Sequence, residues 1–420
     1  MRQRDSTPNW RSVLIAVCIA QATAIIGFDF TLPFVPLYLQ TNLGIHGMAA
    51  TAMWAGLIGF GPAIPATIFG PFWGRLADRY GYRTMLLRAM LCASILLTLM
   101  GFSTSPWILL VLRMIQGALT GTVFSAQALV AASVPEEETA RSMGLLQMSV
   151  YMGATMGPIG GGAVAQAFGF RPAFWSAGVL LLAATSIVYV FVRDPASSQY
   201  KRAKKSEERV PLISLLAIPS FLGAVVMTLV VQFAGTSVMP VIPLFVQQLL
   251  HNGRQVAGDT GWVMAAAGLS AAAGSYWTGR LQRRFRGKLL LFVLLVVASV
   301  LIVPQALAGS FWAFLTFRCL AACAYGGLFA LVGTWAAAAS PRHAKGAAFG
   351  LIGAASSLGF GAGPLLGGML AASFGIRALF LISAVVLGAV PAGWALGAIV
   401  ARRVRSGETV ALTRPEWISR

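Results

Sequence analysis

One carboxylate in this sequence stands where carboxylates are costly. Of the twelve acidic residues, Asp5, Asp78, Glu136, Glu137, Glu138, Asp194, Glu207, Glu208, Glu408 and Glu416 fall in polar, mostly basic segments, and Asp259 opens an apolar run; Asp29 alone lies well inside one. An ionised carboxylate at bilayer depth costs about 3 kcal/mol or more unless it faces water or a cation. Its charge is therefore set by its neighbours, which is what a proton carrier or a cation-recognising group needs. The alternative is a structural carboxylate satisfied by hydroxyls or an arginine. Arg113 is the basic candidate. It can hold a nearby carboxylate charged and release it as distances change, or snorkel outward past Trp107, six residues earlier. Other chemistries lack residues. Cys18, Cys92, Cys319 and Cys323 sit in apolar runs without metal-finger spacing, and His46, His251 and His343 fall in loops or at helix ends. There is no Gly-xxxx-Gly-Lys-Ser/Thr loop for a nucleotide and no catalytic cluster, so no metal, cofactor or enzymatic activity is expected.

The elements that must position these groups are set by composition. With 57% apolar and 10% charged residues, the chain cannot cover a soluble globule of its size and requires lipid as solvent. Segments of about 20 apolar residues cross a hydrocarbon core. We read twelve, at 12–39, 51–73, 84–102, 107–132, 143–168, 172–192, 213–247, 259–279, 288–308, 311–339, 346–373 and 377–400. The basic head before the first run resembles a signal peptide, but the run continues past signal length, so it is read as a retained helix. The net charge of +19 does not imply nucleic acid. Apart from Arg113, Arg171, Arg254, Arg318 and Arg377, all of the 31 Lys and Arg residues fall on one side of this topology, and the positive-inside rule then places both termini and the central linker in the cytoplasm. Lys201, Arg202, Lys204 and Lys205 make that linker a solvated connector near anionic headgroups.

The chain is also a duplication. GATMGPIGGG at 153–162 returns as GFGAGPLLGG at 359–368, and Arg113 pairs with Arg318, Gly169 with Gly375 and Arg171 with Arg377 at spacings of 205 or 206. The run Pro33-Phe34-Val35-Pro36-Leu37 is answered by Pro240-Val241-Ile242-Pro243-Leu244 at a spacing of 207. The expected organisation is an N-terminal six-helix half at 1–193, a linker at 194–211 and a C-terminal six-helix half at 212–420. Glycines at every fourth position let helix backbones approach closely, and an embedded proline removes a hydrogen bond and bends the helix.

Three motifs resemble the major facilitator superfamily, in particular its twelve-helix drug/proton antiporters. Gly153, Gly157, Pro158, Gly161 and Gly162 match the antiporter motif of the fifth helix. Residues 74–83, GRLADRYGYR, resemble the superfamily's cytoplasmic loop, in which Gly74 permits close contact, Gly81 permits a tight turn and Asp78 can pair with Arg79 or Arg83; the resemblance implies a latch between halves. The second copy carries Arg283 where Asp78 predicts an acid. Leu112 to Gly121 resembles the fourth-helix motif whose arginine, here Arg113, is linked to proton transfer. Met53-Trp54 and Pro71-Phe72-Trp73-Gly74 are similar to a multidrug-efflux subgroup.

The resemblance implies an all-α membrane fold of two pseudo-symmetric halves around a mid-membrane substrate site. It implies alternating-access export in exchange for protons, by a monomer in the bacterial inner membrane. Candidate cavity residues are Phe30, Gln116, Gln147, Tyr151, Gln232, Phe233, Tyr325 and Trp335. A cavity with so few charges suits small lipophilic compounds, cations among them, better than phosphorylated or strongly anionic ones. The main alternative is an exporter of one metabolite, such as a sugar or siderophore. A membrane sensor or a membrane-embedded enzyme fits less well.

Overall fold

Leucine, valine, alanine and glycine dominate every long run of this chain, and each run becomes helix, because in lipid all backbone polar groups must be satisfied within the segment. The computed structural model describes residues 10–192, 215–250, 255–339 and 345–411, and the expected 194–211 linker lies outside them. Among the described residues there is helix and no strand. The first half contains α1 (Trp10–Asp29), α2 (Val35–Asn42), α3 (Met48–Phe60), α4 (Ala63–Tyr80), α5 (Tyr82–Met100), α6 (Pro106–Leu119), α7 (Thr122–Ser133), α8 (Glu136–Phe168) and α9 (Phe170–Phe191). The second contains α10 (Pro219–Ser237), α11 (Ile242–Leu250), α12 (Val256–Leu281), α13 (Gly287–Leu307), α14 (Phe311–Ala339), α15 (Lys345–Phe374) and α16 (Ile376–Ala411).

Nine spans among the described residues are long and apolar enough to cross a membrane. Three of the twelve expected runs are not among them, for readable reasons. The fourth run breaks after α6, leaving 14 residues, whereas α8 and α12 are long but rich in glycine, alanine and serine. These last two pack against each other across the molecule, where small side chains serve better than bulky ones.

Most breaks in the rods follow the duplication. Helix α1 stops at Asp29, and a short 3-10 turn, Leu32–Phe34, leads into α2. In the second half the same break occurs at Met239–Val241 between α10 and α11. The cause is the paired prolines, Pro33 and Pro36 against Pro240 and Pro243, which lack the N–H groups a continuous helix uses. Gly169 and Gly375, at φ +92° and +87°, make the turns into α9 and α16, a left-handed conformation that glycine adopts without steric cost.

Packing repeats too. Helix α1 lies on α8 as α10 lies on α15, and α5 lies on α9 as α13 lies on α16. The two sets of helices meet along two seams, α8 with α12 and α3 with α15. Both seams are tight toward the end that carries the α1–α2 and α10–α11 breaks. A Cβ at Gly261 would lie 2.5 Å from the Pro158 carbonyl oxygen, and one at Gly56 would lie 2.5 Å from the Pro364 carbonyl oxygen. Toward the end that holds Trp10 the same faces part. Tyr151 and Met148, one and two turns before Thr155 on α8, are 60% and 55% exposed. Gly70 on α4 and Gly353 on α15 have open space where a side chain would project. The molecule is closed at one end and open between its halves at the other.

Candidate functional site

Asp29 is the last residue of α1. Pro33 follows four residues on, where an α-helix would need an N–H for the Asp29 carbonyl. Partial negative charge collects at such a helix end and favours a positively charged neighbour. Arg113 supplies one. It is buried on α6, its Nη1 donates to Gln116 Oε1 at 2.7 Å, and its Nε has no partner among the described residues. The half-buried Asp29 carboxyl and the guanidinium feel each other electrostatically, with no direct ion pair between them among the described residues. Arg113 therefore turns inward and does not snorkel to the headgroups. With no ion pair holding it among the described residues, the Asp29 carboxyl is open to competition between a proton and a cationic substrate.

Position is enforced by the glycine helix. On α8, a Cβ at Gly153 would come 2.7 Å from the Ala22 carbonyl oxygen, and one at Gly157 would come 2.8 Å from the Asp29 Cβ and 2.9 Å from the Ile26 carbonyl oxygen. At Gly161 it would collide with the Phe30 carbonyl. This face holds α1 and with it Asp29. The other face carries Pro158 and Gly162, where a Cβ on Gly162 would meet the Ala257 carbonyl oxygen of α12 at 2.7 Å. One helix thus joins the site to the seam between the halves. The second copy works the same way: Gly359, Gly363 and Gly367 admit α10, while Pro364 and Gly368 face α3. At the place equivalent to Asp29, 207 residues on, Thr236 packs against Gly363 as Asp29 packs against Gly157. The repeat keeps the packing and discards the carboxylate.

The remaining expected residues are spread between site and scaffold. Phe30 is buried with its ring against Gly160, and Gln116 is committed to Arg113. Tyr151 stands exposed on the opened α8 face, with the half-buried Gln147 one turn before it. Gln232 Nε2 donates to Ser356 Oγ at 2.8 Å, tying α10 to α15, and the adjoining Phe233 is half-buried. Tyr325 is buried with its hydroxyl unpartnered among the described residues, and the Trp335 ring lies over Gly223. In the loop motif Gly81 turns at φ +93°. Arg79 lies over the Tyr80 ring, and Arg83 donates to the Tyr189 carbonyl at 2.7 Å. The surroundings of Gly74 and the side chain of Asp78 lie outside the described residues.

Sequence reasoning missed two features. Gln21, fully buried two turns before Asp29 on α1, reaches Thr122 with its Nε2 at 3.5 Å; an amide in an apolar run was the available signal. The fourth span also breaks at Thr120 and Gly121, the latter at φ +130°. That break leaves the Ala118 carbonyl free to accept from Trp73 Nε1 at 2.6 Å, while Arg88 stacks on the Trp73 ring at 3.4 Å. Among the described residues no group of three or more His, Cys, Asp or Glu is placed to hold a metal.

Two like helical halves that meet along glycine-lined seams, with Asp29 and Arg113 beside one of them, define a multi-pass membrane carrier and not an enzyme. The chain belongs to the Major Facilitator Superfamily, whose family model matches residues 17–258 and 224–416. It is 31% identical over 390 residues to the multidrug resistance protein MdtG of Enterobacter lignolyticus, covering 92% of each chain. It is 32% identical to the MdtG of Dickeya zeae, covering 91% of this chain and 94% of that one. Among solved structures it resembles a bacterial homolog of the human lysosomal transporter Spinster in an inward-facing and occupied conformation. The TM-score is 0.75 at 19% identity, over 93% of this chain and 97% of that one. A D-xylose-proton symporter aligns with a TM-score of 0.71 at 14% identity, over 89% and 96% of the two chains.

Proposed function

We propose that this protein is a proton-coupled exporter of small lipophilic compounds, cations included, working by alternating access. The observation that carries the reading is the placement of Asp29 at the end of α1, against Gly157 and within the field of Arg113, on the helix that also forms a seam between the halves. Rocking the halves moves α8 against α12, and α8 carries the packing surface of Asp29 with it. A carboxylate so placed binds substrate when the cavity opens inward and a proton when it opens outward, and each displaces the other. Relatives named for multidrug resistance support an outward direction.

In this reading the chain acts as a monomer in the bacterial inner membrane, its termini and the 194–211 linker in the cytoplasm and its outer surface against lipid. Residues 1–193 and 212–420 move as the two units. The opening toward Trp10 then faces the cytoplasm, and Asp78 with its neighbouring arginines latches that side when it closes. The test uses inverted vesicles with a preformed pH gradient. Adding ethidium, a lipophilic cation, partly dissipates the gradient if export is exchanged for protons. Uptake driven by ATP that persists with a protonophore overturns the reading.

A further inference from the structure

The second half contains a half-buried arginine that no acid answers among the described residues. Arg318 on α14 is the duplicate of Arg113, but the residue equivalent to Asp29 is Thr236, whose hydroxyl donates to the Gln232 carbonyl at 2.8 Å. Between Glu208 and Glu408 the sequence holds one acidic residue, Asp259, in the first turn of α12. Arg318 makes no hydrogen bond or ion pair among the described residues, and its Nε is buried without a partner. Two turns further along α14, the hydroxyl of Tyr325, a side chain only 7% exposed, is also buried and unpartnered. The two groups are within electrostatic reach of each other. The Tyr325 ring lies on the α10 side of α14, its edge 3.7 Å from where a Cβ of Gly235 would be, and Arg318, seven residues earlier on the same helix, shares that face. That is the counterpart of the place where α1 and α6 hold Asp29 and Arg113.

A half-buried guanidinium whose Nε is enclosed and a buried phenol, both without partners among the described residues, are a costly pair of donors to leave unused. What satisfies both is one acceptor group carrying one negative charge, because a guanidinium recognises oxyanions by its fixed fork of N–H groups and a phenol adds one donor. Asp29 offers the opposite charge in the first half. We infer that Arg318 and Tyr325 form a binding point for the carboxylate, or a similar monoanionic group, of an otherwise apolar substrate. The exporter's range then extends from lipophilic cations to lipophilic monoanions and zwitterions, while multiply charged phosphates, which require several cations, stay excluded. This rests on the export reading and specifies the substrates of the same central site.

The test is equilibrium dialysis on the full chain in lipid nanodiscs, comparing 2-naphthoate with its neutral amide, 2-naphthamide. The two probes share a shape and differ in charge. The expected result is binding of the carboxylate about 10-fold or more tighter than the amide, as charge-assisted bonds to a half-buried arginine require. Arg318→Gln should abolish that preference while measurable amide binding persists, which also reports that the variant is folded. Tyr325→Phe should reduce the preference several-fold and Arg318→Lys should retain part of it. Equal affinity for the two probes in the wild type, absence of carboxylate binding, or an undiminished preference in Arg318→Gln overturns the assignment. Dialysis uses no proton gradient, so this outcome is separate from whether ethidium dissipates one.

Discussion

Asp29→Asn is expected to leave a folded, membrane-inserted protein that no longer exports uphill. The amide keeps the shape that packs against Gly157 but cannot exchange a proton, so the link between gradient and substrate is cut. Ethidium efflux against its gradient should fall about 10-fold or more, the scale of coupling between linked sites. Downhill equilibration should survive, because the seams and the cavity are untouched. Asp29→Glu should keep partial activity, since the carboxylate remains on a longer stem. The measurement is efflux from energised cells beside equilibration in de-energised ones. Uphill export at the wild-type rate by the Asn variant would assign Asp29 a structural role.

Gly161→Ala and Gly367→Ala should be the most damaging single methyl groups that can be added to this chain at the duplicated motif. Each new Cβ points into a backbone carbonyl, that of Phe30 in one case and of Ser237 in the other. Backbone cannot rotate away as a side-chain tip can. The cost expected for overpacking is about 2 kcal/mol, read as a lower unfolding temperature in detergent and a loss of transport. Gly353→Ala is the control, since open space surrounds that position and stability should hold. Similar losses in both motif variants would mean that the two copies serve packing alike. Loss of transport in Gly161→Ala alone, at equal stability, would assign the first copy a role in coupling.

Much of the architecture was legible because membrane helices are written in composition and the duplication is written in spacing. The pairing of Gly153 with Gly359 and of Pro33 with Pro240 reappears as matching helix contacts and matching breaks. What could not be read was which face of each helix does what. The glycines of α8 divide between α1 on one side and α12 on the other, a division that depends on rotation about the helix axis, and a pattern of glycines recurring about every four residues does not fix rotation. The same limit applied to the cavity residues. Gln116 and Gln232 were both equally polar points in apolar runs, yet one is bound to Arg113 and the other to Ser356. The inward turn of Arg113 depends on Gln116, three residues away on the same helix, a spacing that places two side chains together and could have been used.

The central claim is that substrate and proton compete for Asp29, and proton release on substrate binding tests it most directly. Purified protein in weakly buffered detergent solution near neutral pH is titrated with ethidium while a pH indicator is followed. The account predicts proton release by the wild type, saturating with ethidium binding, and none from Asp29→Asn at the same occupancy. Equal release from both proteins, or ethidium binding by the wild type with no release across about pH 5.5–8.5, would contradict it.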